Sequence, residues 1–364
     1  MRIVYGIHGY GRGHATRALA ILPDLMRRHD VLILAGGDAY DALHEHLPVT
    51  RIPTLGYAQR ANGTRSNLLT LTRNLPAYLD LRLAGPAFQM IEETVRDFDA
   101  QVVISDAEPW THRVAARLGI FRVGIDHFGI MAYCRPTLRP IDRLISFRDA
   151  WVYRHLMGNP DRVIVSSFFD APPRRPGVHV VRTPLRSDVF QFQPGDGDHL
   201  LAYFNRGVPF CDRIHAALRS LGLPVLVYGT RRIGTEANLE FRPRGNHTFL
   251  EALASCRAVI SSAGNQLVGE ALHFRKPMFV IPEDCVEQRM NAVALARCGI
   301  GMWCWQHKVS VDVLRSFVAQ LPAYAENLAH QARDGRQEIL ATLERFFTEC
   351  TGEKAAARVA VSVA

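Results

Sequence analysis

Short apolar runs alternate with stretches of helical periodicity along almost the whole chain, and no other feature limits the fold as much. Strand candidates fall at 2–7, 30–35, 101–105 and 121–125 in the first half, and at 199–204, 223–228, 257–262 and 277–281 in the second. Parallel neighbours need a crossover connection, so this rhythm predicts parallel sheets covered by helices. It breaks once, at 170–198, "DAPPRRPGVHVVRTPLRSDVFQFQPGDGD", where prolines, glycines and charges replace periodicity, with "VHVVR" finishing the first sheet. The expected class is α/β with two doubly wound, Rossmann-like domains. Residues 1–183 form the first, 184–197 a linker and 198–330 the second, and 331–364 a C-terminal helix and tail packing back on the first, frayed at its end.

A chain of 364 residues with 48% hydrophobic content can fill two cores without covalent staples. Its seven cysteines, at 134, 211, 256, 285, 298, 304 and 350, form no C-x-x-C pair and no ligand spacing with histidine. That points to a reduced, cytoplasmic protein with no metal site. No secretory signal opens the sequence, and no apolar run reaches the length of a membrane span. The net charge of +8 suits phosphates, anionic lipids or nucleic acid, but the arginines are scattered and no nucleic-acid module is present, which argues against a nucleic-acid partner.

The turn after the first strand, "YGIHGYGRGHATRALAIL", holds Gly9, Gly11 and Gly13 ahead of His14 and a helix expected over 15–28. Glycines at a strand-to-helix turn let backbone approach a ligand. The dinucleotide fingerprint does not fit, because His14 replaces its third glycine and "DVLILAGGD" lacks an acid at the end of the second strand. A plain tight turn with an incidental histidine is the alternative. "QVVISDAEPWTHRVAARLGI" places Asp106 just past a strand of the same domain. A carboxylate on one imidazole nitrogen fixes the tautomer and frees the other nitrogen to take a proton.

The second informative block is "AVISSAGNQLVGEALHFRKPMFVIPEDCVEQRMNAVALARCG", 258–299. A strand enters Ser261 and Ser262, a small-residue turn follows with Ala263, Gly264, Asn265 and Gln266, and Glu270 lies on the next helix. A helix N-terminus there supplies unpaired N–H groups and a positive dipole end, which suits a diphosphate. Glu270 is placed to accept ribose hydroxyls, and Glu287 and Gln288 to bind sugar hydroxyls.

In these two blocks the chain resembles the GT-B, nucleotide-sugar-dependent glycosyltransferases, in particular the MurG-type and UDP-glycosyltransferase-like members whose first loop reads G-x-G-x-G-H-x-x-R. The resemblance implies an inverting, metal-independent transfer from a nucleotide diphospho-sugar, UDP-sugar by default, to an acceptor hydroxyl, with no further cofactor. His14 would be the general base and Asp106 its orienter. Ser262, Ala263, Gly264, Asn265 and Gln266 would hold the diphosphate, Glu270 the ribose, and Glu287 and Gln288 the donor sugar. Ser262 stands where many relatives carry a phosphate-binding histidine. Gly11, Arg12, Gly13, Arg17 and His127 would line the acceptor or phosphate side, Arg17 touching a phosphate or an acid or pairing on the helix surface. For His127 a satisfied core histidine is the expected alternative. Arg206 is a candidate diphosphate clamp, and Asn246 and His247 lie where relatives hold the base. The acceptor would be a small molecule, a glycan or a lipid-linked sugar.

Two further readings stay open. A nucleotide-sugar hydrolase would use the same scaffold with water in place of the acceptor, and a nucleotide-sugar-binding protein would keep the donor block without turnover. The segment "RPTLRPIDRLISFRDAWVYRHLM", 135–157, interleaves five arginines with apolar residues. A helix covering the first core with a solvated outer face is expected, and peripheral contact with an anionic membrane is the alternative.

Overall fold

The computed structural model describes residues 1–58, 66–204, 210–243, 245–331 and 334–363, with main chain alone at 67 and 353–363. The first sheet is built from β1 (Arg2–Ile7), β2 (Asp30–Ala35), β3 (Val49–Arg51), β4 (Val102–Asp106), β5 (Phe121–Asp126), β6 (Arg162–Ser166) and β7 (Val178–Val181). These strands are parallel throughout and lie in the order β3-β2-β1-β4-β5-β6-β7. β4 is buried at every position and β1 at all but its first, as expected of a sheet covered on both faces.

The second sheet comprises β8 (Leu200–Tyr203), β9 (Val225–Tyr228), β10 (Gly234–Glu236), β11 (Leu239–Phe241), β12 (Ala258–Ser261), β13 (Met278–Val280) and β14 (Gly301–Trp303). Its order is β10-β11-β9-β8-β12-β13-β14, with only the β10–β11 hairpin antiparallel among the described strands. The two-domain α/β architecture is therefore that of the GT-B fold. Three-residue edge strands such as β3 and β14 are too short to show alternation and were not expected from the sequence.

The linker folds into a short 3-10 turn, Ser187–Gln191, and its Leu185 and Val189 join an apolar cluster that takes residues from both domains, including Met131, Phe168 and Val268. The final helix, Arg336–Val363, continues through the segment expected to fray. Its Ile339, Leu343, Phe346 and Phe347 recur on one face and pack against Ile21 and Leu25 of the first domain. All seven cysteines are free. Among the described residues no helix is long and apolar enough to cross a membrane.

Each sheet reverses its direction of winding once, between β1 and β4 in the first and between β8 and β12 in the second. At such a reversal the following loops diverge and open a crevice beyond the strand ends. His14 follows β1, Asp106 ends β4, and Ser262 to Gln266 follow β12. The helix that carries His14, Arg12–Arg28, lies against the helix that carries Glu270, Asn265–His273, so the two crevices face one another.

Candidate functional site

The glycine turn is braced by the loop after β2. A Cβ on Gly9 would fall 2.3 Å from the Gly36 carbonyl carbon, so backbone packing by itself requires glycine there. Asp38 donates its N–H to the Gly9 carbonyl and accepts the Gly11 N–H at 3.0 Å through its carboxylate. Gly11 caps the helix with φ +85, a region that strains any residue with a Cβ. Side chains placed at Gly11 or Gly13 would meet nothing within 4 Å, so this part of the turn borders open space. The helix starts at Arg12, earlier than expected, and His14 therefore sits on its first turn. The Arg12 side chain is exposed and has no partner among the described residues.

His14 and Asp106 meet directly. The register of β1 on β4 pairs Ile7 with Asp106, and His14 Nδ1 lies 2.6 Å from Asp106 Oδ1. Arg17, one helical turn beyond His14, donates to the same carboxylate from Nε at 2.7 Å and from Nη2 at 2.5 Å. Asp106 is 0% exposed and Arg17 4%, whereas the His14 side chain is 21% exposed. Burial alone would raise the Asp106 carboxyl, but the Arg17 guanidinium, followed by His14, outweighs it and holds the group below its ordinary value. With Asp106 ionised, His14 Nδ1 carries the proton and donates it, and Nε2 is left with a lone pair. Arg17 Nη2 stands 3.0 Å from His14 Nδ1, two donors flanking one shared acceptor oxygen. The His8 ring meets the His14 ring edge to face at 5.1 Å, and burial, with His14 beside it, pushes His8 down to about 3, so it stays neutral.

Asp126, at the end of β5, forms the next layer. It accepts the Gly129 N–H at 2.6 Å and the Tyr153 hydroxyl, and burial raises its carboxyl above the ordinary value. His127 is buried and both its nitrogens are engaged, Nδ1 2.8 Å from the Ser166 carbonyl oxygen and Nε2 2.8 Å from Asn291 Oδ1. It is the satisfied histidine weighed as the alternative, and it bolts the first domain to the second. Asn265 ties the domains as well, accepting from the Phe168 N–H at 3.2 Å and donating to the Ser166 carbonyl.

Across the crevice, a Cβ on Gly264 would meet nothing within 4 Å, and the helix Asn265–His273 begins there without a side-chain cap. Its first N–H groups are thus placed as a ligand for anions would require. Ser262 and Ala263 form the buried floor. Gln266 is turned away, donating to the Pro184 carbonyl at 2.8 Å. Gln288 is largely buried, its Oε1 accepting the Ala263 and Glu283 N–H groups at 3.1 and 3.0 Å. Its neighbour Glu287 is half-buried and has no partner among the described residues. Arg206 lies outside the described residues.

Glu270 is buried and paired with Arg186 at 3.1 Å; burial raises its carboxyl and the guanidinium only partly offsets this. Arg186 also donates to Asn246 Oδ1, and Asn246 Nδ2 donates to Asp188 at 2.8 Å. His247 packs edge to face on Phe192 at 4.9 Å. Asn246 and His247 are therefore occupied by the linker. Sequence reasoning missed Arg186 and Asp188, since a linker pattern gives no sign of a partner 84 residues away. Tyr153 was missed too, while Asp126 carried the same strand-end signal as Asp106. Among the described residues, no group of three or more His, Cys, Asp or Glu side chains is placed to hold a metal ion.

The family model described as Glycosyl transferase family 1 matches residues 1–322. No curated protein sequence gives a significant match. Similar solved structures include the glycotransferase of kitacinnamycin, at 17% identity and a TM-score of 0.65, covering 94% of this chain and 95% of that one. Phytolacca americana UGT2, complexed with UDP-2-fluoro-glucose and pterostilbene, aligns at 15% identity and a TM-score of 0.65 over 94% and 98% of the two chains. Acinetobacter baumannii MurG aligns at 16% and 0.59, over 94% and 99%. At these identities the likeness establishes the fold.

Proposed function

The chain belongs to glycosyl transferase family 1, and from that premise we propose that it is an inverting transferase that moves a sugar from a nucleotide diphospho-sugar, UDP-sugar by default, to an acceptor hydroxyl. The observation that carries this reading is the His14–Asp106 contact at the mouth of the first crevice, on a helix that abuts the donor-side helix.

In this reading His14 Nε2 accepts the proton of the acceptor hydroxyl as its oxygen bonds to the anomeric carbon. The bond from that carbon to the diphosphate oxygen breaks on the opposite face, which inverts the anomeric configuration. Asp106 keeps the proton on Nδ1 and stabilises the imidazolium as it forms. The departing diphosphate gains negative charge, which the Gly264 turn and the N-terminus of Asn265–His273 are placed to stabilise without a metal. Glu270 takes the ribose hydroxyls once Arg186 shifts, and Glu287 and Gln288 hold the donor sugar. No cofactor beyond the donor is assigned.

The test is a thermal-shift panel of UDP, TDP, GDP and their sugar conjugates on the parent chain and on Glu270→Ala. A ligand at a hundredfold excess over its Kd adds about 2.7 kcal/mol of apparent stability. A shift specific to uridine nucleotides and abolished by Glu270→Ala is the expected result. No shift with any nucleotide would defeat the donor assignment. Equal release of sugar with and without acceptor would replace transfer by hydrolysis.

A further inference from the structure

The helix Asp142–Met157 buries Ser146, Ala150 and Met157, yet it also carries large apolar residues outward. Leu144, Phe147 and Trp151, spaced three and four residues apart, are 79%, 66% and 55% exposed. They form one stripe. The neighbouring helix Asn67–Leu83 presents a second, with Leu71, Leu75 and Leu79 exposed. The Tyr78 hydroxyl, 3.1 Å from His155 Nε2, links the two helices, and Trp151 stacks on His155 at 5.2 Å. Exposed apolar stripes of this kind need something to cover them.

Beside the stripe lies a half-open cavity of about 510 Å³ whose walls carry Arg135, Arg143, Arg154 and Arg174, with Met131 and Leu138 among its apolar lining. Phe147 lines the cavity and belongs to the stripe, so the two surfaces are continuous. No acidic residue lines the cavity, and among the described residues none of the four arginines pairs with a carboxylate. Arg154 and Arg174 are held by backbone carbonyls instead, those of Ala132 at 3.0 Å and Cys134 at 2.6 Å. Four guanidinium groups with no counter-charge attract an anion that offers several oxygens, and phosphate matches their forked geometry.

We propose that this cavity binds the phosphate of an anionic lipid headgroup and that the adjoining stripe enters the bilayer interface. A soluble phosphate would satisfy the arginines but leave the stripe in water. A lipid accounts for both surfaces at once. The same helix donates Tyr153 to Asp126, so the membrane face and the His14 crevice share one element. The proposal does not rest on the chemistry assigned to His14.

The full chain is sedimented with vesicles of phosphatidylcholine, alone and mixed with phosphatidylglycerol, at low and high salt. Binding is expected to the mixed vesicles only, weakening as salt rises. The exposed pair Arg135→Ser and Arg143→Ser should together lower it about 25-fold, at roughly fivefold per arginine near an anionic surface. Phe147→Ser with Trp151→Ser should abolish it, and both double variants should keep the parent melting temperature. Should either variant fail to fold, the lipid and salt dependence of the intact chain still decides. Equal binding to both vesicle types would overturn the proposal. So would stabilisation by inorganic phosphate without sedimentation, which would assign the cavity to a soluble anion. Self-association that the Phe147→Ser, Trp151→Ser variant abolishes would assign the stripe to a second copy of the chain.

Discussion

Asp106→Asn tests stability and chemistry through one atom. The carboxylate is 0% exposed and makes two hydrogen bonds to Arg17, itself 4% exposed, and one contact to His14. Asparagine keeps the shape but removes the charge, leaving a buried guanidinium without a counter-ion. Breaking such a pair from one side costs about 3–5 kcal/mol. At roughly 2–4 °C per kcal/mol for domains of this size, the melting temperature should fall by about 10 °C. Below the melting range the chemistry should fail separately. An amide can donate to His14 Nδ1, which favours the tautomer with its proton on the wrong nitrogen, and the equivalent change in a Ser-His-Asp triad costs about 10⁴-fold in kcat. Urea unfolding and single-turnover transfer at saturating donor, both at low temperature, read the two effects. A folded Asp106→Asn protein that transfers sugar within threefold of the parent rate would refute the base assignment. Unaltered stability would refute the electrostatic account of the pair. The pH dependence has a fixed sign. Because the folded-state carboxyl is held below its ordinary 3.8, the stability it contributes is complete above that value and is lost as pH falls through the folded-state value.

Three further outcomes follow from the same geometry. His14→Ala removes a partly exposed side chain and leaves the Arg17–Asp106 pair intact, so transfer should fall about 10²–10⁴-fold while the urea midpoint barely moves; a parallel loss of both would make His14 a structural residue. Gly9→Ala forces a Cβ into the Gly36 backbone and should destabilise by roughly 1–3 kcal/mol, whereas Gly13→Ala meets open space within a helix and should be neutral or stabilising by about 0.5–1 kcal/mol, as paired melting curves would show. His112 is buried with neither nitrogen hydrogen-bonded, and burial, with Arg122 and Arg113 near it, pushes it down to about 3. Stability should therefore fall as pH drops from about 6.5 towards 3, where the unfolded chain takes up the proton first. His112→Leu should flatten that limb and raise stability at neutral pH, and an unchanged acid limb would count against the reading.

Most strands of both sheets were legible because a covered parallel strand reads as an unbroken apolar run, as in β1 and β4, but β6 and the short β3, β10, β11 and β14 were not among those expected. The site loops were legible because they follow such strands, so that Asp106 and Gly264 could be placed without knowledge of any contact. What escaped was decided by tertiary packing. Arg17 could be read only as meeting a phosphate or an acid or as pairing on the helix surface; it lies one turn before Ile21 on the buried face of its helix, and only the fold reveals Asp106 as its partner. Arg186 sits in a segment without periodicity and meets Glu270 only after both domains have formed. The split character of Asp142–Met157 was only half readable. Its arginines showed a basic face, but which apolar residues turn inward depends on the cover that β5 and β6 need.

The bolt at His127 also bears on how the two domains share ligands. Hydrogen bonds run from the Ser166 carbonyl through His127 to Asn291, whose amide donates to the Ala263 carbonyl at 2.9 Å, at the floor of the Gly264 turn. A ligand that displaces Ala263 on one side is therefore expected to act on the end of β6 on the other, and the prediction is that occupancy of the two crevices is coupled. Coupling of that kind is reciprocal: the factor by which a bound donor alters affinity for the acceptor equals the factor by which acceptor alters affinity for donor. Calorimetric titration of each ligand in the presence and absence of the other measures that factor twice over, and for any ordered sequence of binding the two values must agree.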